Sequence, residues 1–587
     1  MTKNQLILGA LVSLGGIFLA SGLGEYLFHF HGNQYGYFVY GIRLFDQSFI
    51  ENDWLTWNTL NQHFAFGYLL YLIQYIGSLE FLTSLIEIIL LCVFSVSVYI
   101  ISKQCSKYPL HVWLSTIFVG SVVFTSTNVS SGLGSQVLLE KYFIAADIAT
   151  ILMILGLSFM LTKRYLFAGL AIGIGGIFHA AIMVSYSPVI LILSIVIGVF
   201  QNKKSTAYFV MPILLFWGWF TLLLLVYMHS NPSNFPAISS VMAQLRNPGD
   251  LIISNWPLNQ TIGWFGLMGI GLLSNSKSNA SKSIHIGLQT IVIICILSML
   301  QMEFVKNNLI SSLMLFRVAP LGVLFAFILI FSRLFVLFFE LEKKDFQWRD
   351  WCLIISLVMY ALYQSVTSFY IGLLIFSLLS SFYFFRMFEV IMKSITSIFS
   401  FELLNYRFTY RSFVILMLVS LLILGTFKNL IGLNKHYSDR GNYTNSGHYY
   451  YPYEKAEFEM AEWIRDNTPV DAIFTIPLDI QTFRINAQRA VVVDWVMSPS
   501  IPGDLEEWYR RIGDTSGIDI HKSKLAPSKK QFIDGYRKLD YTRAKLLQKK
   551  YGTSYFVVNK NHLHINLEKF DELYSNELYK IIFLTNQ

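Results

Sequence analysis

Long apolar runs separated by short polar loops fill roughly the first three quarters of the chain, and the last quarter changes to the mixed spacing of a soluble domain. Thirteen runs predict helices, near residues 5–24, 81–102, 110–127, 142–162, 165–183, 186–200, 207–228, 257–274, 284–301, 309–337, 350–366, 368–385 and 412–432. The runs ending at Phe200 and Ser274 fall short of the about 20 residues a straight helix needs to cross the hydrocarbon. The first run follows Lys3 and has no small-x-small cleavage pattern before the polar segment, so it is read as a retained span.

Between the first two spans lies a loop over residues 25–80, whose polar, aromatic and acidic part runs from His31 to His63. Phe64–Gly77 within it is apolar but only three to four turns long, which predicts a helix lying in the membrane interface. From residue 433 the pattern predicts a small α/β domain with a mostly parallel sheet. Helices are expected at 454–467, 503–512 and 530–550, and strands at 472–476, 490–495, 555–559 and 579–584.

Charge orients this pattern. Lys3, Lys103, Lys107, Lys163, Arg164, Lys203, Lys204, Lys277, Lys282, Lys343, Lys344, Arg349, Arg386, Lys393, Arg407 and Arg411 collect on one side of the thirteen spans. The other side holds Arg43, Lys141, Arg246 and Lys306. The basic side is the cytoplasmic one, so the N-terminus is inside, while the 25–80 loop and the 433–587 domain share the outer compartment.

With 54% hydrophobic and 14% charged residues and a mean hydropathy of +0.51, the chain is a polytopic α-helical membrane protein rather than a soluble one. The net charge of +8 resides in short loops and reports orientation, so nucleic acid is excluded as a partner and membrane lipids are expected. Cys92, Cys105, Cys295 and Cys352 lie in or beside the apolar runs without a CxxC pair, which indicates neither a disulfide framework nor a zinc site.

Asp53, in Glu51-Asn52-Asp53-Trp54, stands beside an interface-seeking tryptophan, where a carboxylate meets a lipid head group and an aqueous substrate together. Such an acid serves as general base for an acceptor, or as a ligand for a divalent cation such as Mg or Mn. The structural alternative is a helix N-cap. Asp46 is the second acid considered for catalysis; it and Glu51 are better explained as solvated or capping groups.

Arg317 sits inside the run LISSLMLFRVAPLGVLFAFILI, where a buried guanidinium calls for an anion and a phosphate is a bidentate match. Snorkelling to the outer surface is the alternative. Asp147 and His179 are further intramembrane polar groups, His179 reading as a packed, hydrogen-bonded residue. Glu140-Lys141 faces the same compartment as Asp53 and reads either as a neutral pair or as part of the site. The stretch from Lys522 to Lys550 has ten Lys and Arg against Asp534 and Asp540, which fits a solvated helix face best, with contact to anionic lipid or a phosphorylated substrate as the alternative. No nucleotide-binding Gly-rich loop, nucleophile elbow or HExxH pair is present.

Thirteen spans, an acidic first outer loop with an interfacial helix, and an outer C-terminal α/β domain together resemble the GT-C membrane glycosyltransferases. MAEWIRDNTPVDAIFTIPLD (Met460 to Asp479) is similar to the segment opening the exported domain of many such proteins. FRINAQRAVVVDWVMSPSIPGDLEEWYRRIGD (Phe483 to Asp514) resembles an uncharacterised domain attached to bacterial GT-C-like proteins, and GGIFHAAIM resembles one of their recurring span elements.

The resemblance implies two domains, 1–432 and 433–587, in a bacterial cytoplasmic membrane. It implies sugar transfer from a polyprenyl-phosphate donor to a glycan, lipid or protein acceptor outside the cytoplasm, with an aspartate of the first loop as base or metal-associated acid. In the aminoarabinose and protein mannosyl transferases that acid belongs to an early acidic pair before a tyrosine. Here Asn33-Gln34-Tyr35 stands there; asparagine takes no proton, so the role passes to Asp53 or Asp46, or is absent. Asn33, Gln34, Tyr35, His63, Glu140, Lys141 and Arg317 are the expected substrate contacts, with Arg317 on the phosphate. The alternatives are a non-catalytic relative presenting lipid-linked glycan, and a transporter, which paired broken helices in repeated halves would have indicated.

Overall fold

The computed structural model describes residues 34–106, 137–140, 143–232, 256–274, 278–305, 314–340, 452–495, 497–499, 501–520, 527–560 and 569–585, apart from position 62, and the isolated positions 133, 241 and 253. The spans expected near 5–24, 110–127, 350–366, 368–385 and 412–432 lie outside these residues, as do Asn33 and Lys141. The described chain is mostly helical, with five helices long and apolar enough to cross a membrane, followed by a small C-terminal sheet.

The opening polar segment is more ordered than its composition foretells. It contains helix α1 (Gln34–Phe45), the short α2 (Trp54–Asn58) and α3 (Phe64–Ile76). α3 is the expected short apolar helix, burying Phe66, Leu70 and Ile73 and exposing Tyr68, Leu72, Tyr75 and Ile76 on the opposite face.

The membrane-like part continues with α4 (Leu79–Cys105), α5 (Ala145–Leu161), α6 (Tyr165–Phe178), α7 (Ala180–Ile197), α8 (Lys203–Ser230), α9 (Leu258–Leu273), α10 (Asn279–Phe304) and α11 (Ala319–Glu340). The boundary expected after Met183 falls instead at His179, whose extended backbone (φ −150°, ψ 98°) ends α6 and whose imidazole caps α7. Residues 321–330 of α11 are buried throughout, forming the centre against which α9 and α10 pack. Along α6, Gly169, Gly173 and Gly176 let α8 approach closely: a Cβ on Gly169 would lie 2.3 Å from the Phe209 carbonyl oxygen. The far face of α8 exposes Leu215, Trp219, Leu222, Leu225 and Val226, as expected of a surface against lipid tails.

The tail is a five-stranded sheet with helices around it: α12 (Pro452–Asn467), β1 (Ile473–Thr475), α13 (Phe483–Asn486), β2 (Ala490–Val491), α14 (Pro502–Ser516), α15 (Lys529–Tyr536), α16 (Tyr541–Tyr551), β3 (Tyr555–Asn559), β4 (Asp571–Ser575) and β5 (Tyr579–Phe583). The order is β2-β1-β3-β5-β4. β2, β1 and β3 run parallel, but β5 is antiparallel to β3 and to β4, so the sheet is mixed rather than mostly parallel. β4 was not foreseen, because DELYS shows the exposed composition of an edge strand.

The single helix expected over 530–550 is two. Asp540 accepts the Arg543 amide and restarts the chain as α16, since a capping aspartate competes with helix continuation. Many of the basic side chains here are locally engaged: Arg537 with Asp534, Lys550 with Asp514, and Lys529 over the Trp495 ring. In α14, Leu505, Trp508, Tyr509 and Ile512 bury one stripe, and Gly517 (φ 70°) closes the helix in the left-handed conformation.

Candidate functional site

Two polar clusters in the described protein hold Asp53, His63 and Arg317 of the residues that the sequence singles out, and α1 touches both. Every third residue of α1 along one winding ridge is engaged: Gln34, Tyr37, Tyr40 and Arg43. Gln34 Nε2 donates to the Phe143 carbonyl oxygen at 3.1 Å, while the Arg43 guanidinium bonds the Thr56 carbonyl and lies 3.9 Å over the Trp57 ring.

The first cluster surrounds Asp53. Ile50, fully buried, takes a positive φ of 47°, a conformation costly for a β-branched residue that packing with Val39, Phe49, Leu55 and Met497 sustains. That turn delivers Asp53 to the start of α2. There Oδ1 accepts the Thr56 amide (2.9 Å) and hydroxyl (2.8 Å), so the capping alternative is realised. Oδ2 accepts Arg484 Nε (2.8 Å) and the Val491 amide (3.1 Å), from the C-terminal domain. Arg484 also bonds the Asp494 carboxylate, and Asp494 Oδ1 accepts the Met497 amide at 3.1 Å.

Asp53, Arg484 and Asp494 expose 0%, 3% and 3% of their side chains, which makes this an internal ion-paired joint rather than a surface site. Burial works against the Arg484 charge, but its two carboxylates together push that pKa up; burial pushes Asp494 up, with Arg484 opposing. Burial also pushes the neighbouring Tyr40 hydroxyl up to about 12, keeping it neutral.

A general base needs a lone pair facing its substrate, and both Asp53 oxygens already hold two donors each. The geometry therefore argues against the base expected here. The same four donors and the adjacent guanidinium do not fit a divalent cation, and no group of three or more His, Cys, Asp or Glu suited to a metal occurs among the described residues. Asp46 is exposed, and its Oδ1 accepts the Ser48 amide and hydroxyl within its own turn.

The second cluster forms where the opening segment meets the α6–α7 break. The His63 and His179 rings lie 4.8 Å apart, and Tyr37 meets His63 edge-on, also at 4.8 Å. His63 Nδ1 is 3.3 Å from the Phe178 carbonyl oxygen, which accepts only, so that nitrogen carries the proton and Nε2 is left as an acceptor. His179 Nδ1 accepts the Ile182 amide at 3.3 Å, so its proton resides on Nε2, a donor. Burial pushes the His63 pKa down to about 4; the Phe178 carbonyl opposes this and the Arg317 charge adds to it.

Arg317 is half-buried just before α11 and near enough to act electrostatically on both imidazoles. Beside it, Phe316 packs on Trp256 with ring centroids 5.6 Å apart. Trp256 is 6% exposed, and its buried indole Nε1 has no hydrogen-bond partner among the described residues. The arrangement is rich in donors and positive charge, as an anion site requires.

Glu140 lies apart from this, its amide donating to Asp147 Oδ1 at 3.0 Å. Tyr35 is half-buried on α1. The structure thus pairs His63 with His179 within electrostatic reach of Arg317, gives Asp53 a separate role, and leaves Asp46 in a surface turn. Arg484 and Asp494 were not singled out by sequence reasoning, although both lie in the Phe483 to Asp514 stretch, where an Arg and an Asp beside buried apolar residues were the available signal. A domain of unknown function (DUF6798) matches residues 455–515, spanning α12 to most of α14. No curated protein matches the chain.

Proposed function

We propose that this chain is a membrane glycosyltransferase that takes a sugar from a polyprenyl-phosphate donor at the outer face of the cytoplasmic membrane and delivers it to a glycan, lipid or protein of the cell envelope. The observation that supports the reading is the Arg317 charge acting on the paired His63 and His179 imidazoles, together with a buried Trp256 indole N–H, packed on Phe316, that has no hydrogen-bond partner among the described residues. A phosphate on a lipid carrier satisfies a guanidinium and N–H donors in a partly desolvated place.

In this reading the acceptor hydroxyl attacks the anomeric carbon, the bond from that carbon to the phosphate oxygen breaks, and the phosphate leaves on Arg317. The proton goes to His63 Nε2, whose basicity near pKa 4 matches that of the carboxylates that do this work elsewhere. Asp53 has no direct part. That engagement of Asp53 favours a second reading, a non-catalytic protein that binds and presents the lipid-linked sugar.

Expression of wild type, Arg317→Met, His63→Gln and Asp53→Asn in a strain lacking the chain, with envelope glycans read by mass spectrometry, separates the two. Transfer requires a sugar that vanishes on deletion and returns with wild type but with neither the Arg317 nor the His63 variant. A sugar restored by His63→Gln but not Arg317→Met selects presentation. No glycan change on deletion refutes both.

A further inference from the structure

The groups that join the C-terminal domain to the membrane-side chain come largely from the segment that matches the domain of unknown function. The Asp471 carbonyl accepts from Asn52 Nδ2 at 2.8 Å. Arg484 and the Val491 amide hold Asp53, and Ile485 and Met497 pack among Val39, Phe49, Ile50 and Leu55. The Arg511 guanidinium lies 4.5 Å over the Trp54 ring.

A second attachment lies at the end of α8. There the Gly503 amide donates to the Asn231 carbonyl at 3.2 Å, and Tyr227 donates to the Asp504 carboxylate at 3.1 Å. A Cβ on Gly503 would stand 2.8 Å from the Asn231 oxygen, so the two backbones meet directly.

We infer that residues 455–515 are a docking module whose partner is this chain's own membrane-side surface, segment 49–58 and the end of α8, with Arg484 as the positioning residue. The fit is selective because the partner must present a buried carboxylate at a helix N-cap: one guanidinium bridges two acids, and a shifted dock leaves a buried charge unpaired. The dock also reaches the second cluster. Tyr40 stands within hydrogen-bonding distance of Thr59 in the docked loop, and Tyr37, one turn away on α1, meets the His63 ring. The inference is independent of the reaction performed at Arg317.

The test is amide hydrogen exchange on the full-length protein in nanodiscs. Arg484→Met is expected to raise exchange over 34–58 by about tenfold or more while strands β3–β5 keep their protection. Arg484→Met/Asp53→Asn, with one fewer unpaired acid, is expected to exchange less than Arg484→Met alone. Gly503→Val is expected to raise exchange at 226–232, again with β3–β5 unchanged. Unchanged exchange over 34–58 in Arg484→Met, additive effects in the double variant, or an equal rise in β3–β5 would each overturn the inference.

Discussion

The two polar clusters on either side of α1 treat charge in opposite ways. Around Asp53, two carboxylates share one guanidinium, and backbone amides and a hydroxyl occupy the remaining oxygens in a fully enclosed place. Around Arg317, one guanidinium acts on two imidazoles whose tautomers are set by backbone partners, with an indole donor that has no partner among the described residues. A closed circuit of buried charge holds parts together, because any displacement exposes an unpaired ion to low dielectric. A donor-rich, positively charged cluster suits an anionic ligand instead. An acid near a membrane surface is therefore not by itself a sign of chemistry; the decisive matter is whether its lone pairs are already used.

The sharpest way to break this contrast is to remove the bridging cation. Arg484→Met should weaken the joint between segment 34–58 and the C-terminal domain by about 3–5 kcal/mol, read as faster amide exchange over 34–58 than in β3–β5. If exchange over 34–58 stays at the wild-type rate, the joint is not structural. Arg317→Met should weaken binding of polyprenyl phosphate by roughly 10- to 100-fold, about 1.5–3 kcal/mol for a lost charged hydrogen bond. Equal affinity by titration calorimetry would remove the anion site.

Asp53→Asn keeps an acceptor for the Thr56 amide but puts a donor NH2 where Oδ2 accepts Arg484 Nε and the Val491 amide, so a cost of about 1.5–3 kcal/mol is expected. A complete loss of sugar transfer in Asp53→Asn with an unaltered melt would return Asp53 to the role of base.

The smallest effect is a pH dependence belonging to the second cluster alone. The fold lowers His63 from 6.5 to about 4, so the unfolded chain binds the proton first. The associated stability is intact above pH 6.5 and is lost as pH falls toward 4, at about 1 kcal/mol between pH 6.5 and 5.5. His63→Gln should flatten that part of the melting profile; an unchanged slope would assign it to other groups.

Much of the scaffold was legible in the sequence. The apolar runs forecast α4, α5, α6, α9 and α10 with boundaries displaced by a few residues and α11 with a start about ten residues early, and the period of α14 was read as a helix that the structure extends to Ser516. The interfacial length of α3 was equally visible. Less legible were the stop at His179, where a side chain caps the next helix inside one apolar run, and the break before α16, where Asp540 does the same. Both are single-residue events that an average over a window hides.

By itself the sequence determined that this is a helical, membrane-like chain with a small α/β tail, because apolar length and periodicity are local properties written in consecutive residues. It also determined that Asp53 and Arg317 needed partners, because buried charge always does. Only the tertiary structure decided which partners. Asp53 meets Arg484 across 431 positions of sequence, His63 meets the Phe178 carbonyl across 115, and no local pattern encodes either meeting. Such pairings are selected by the packing of whole elements, where a buried charge is stable in the one arrangement that satisfies it.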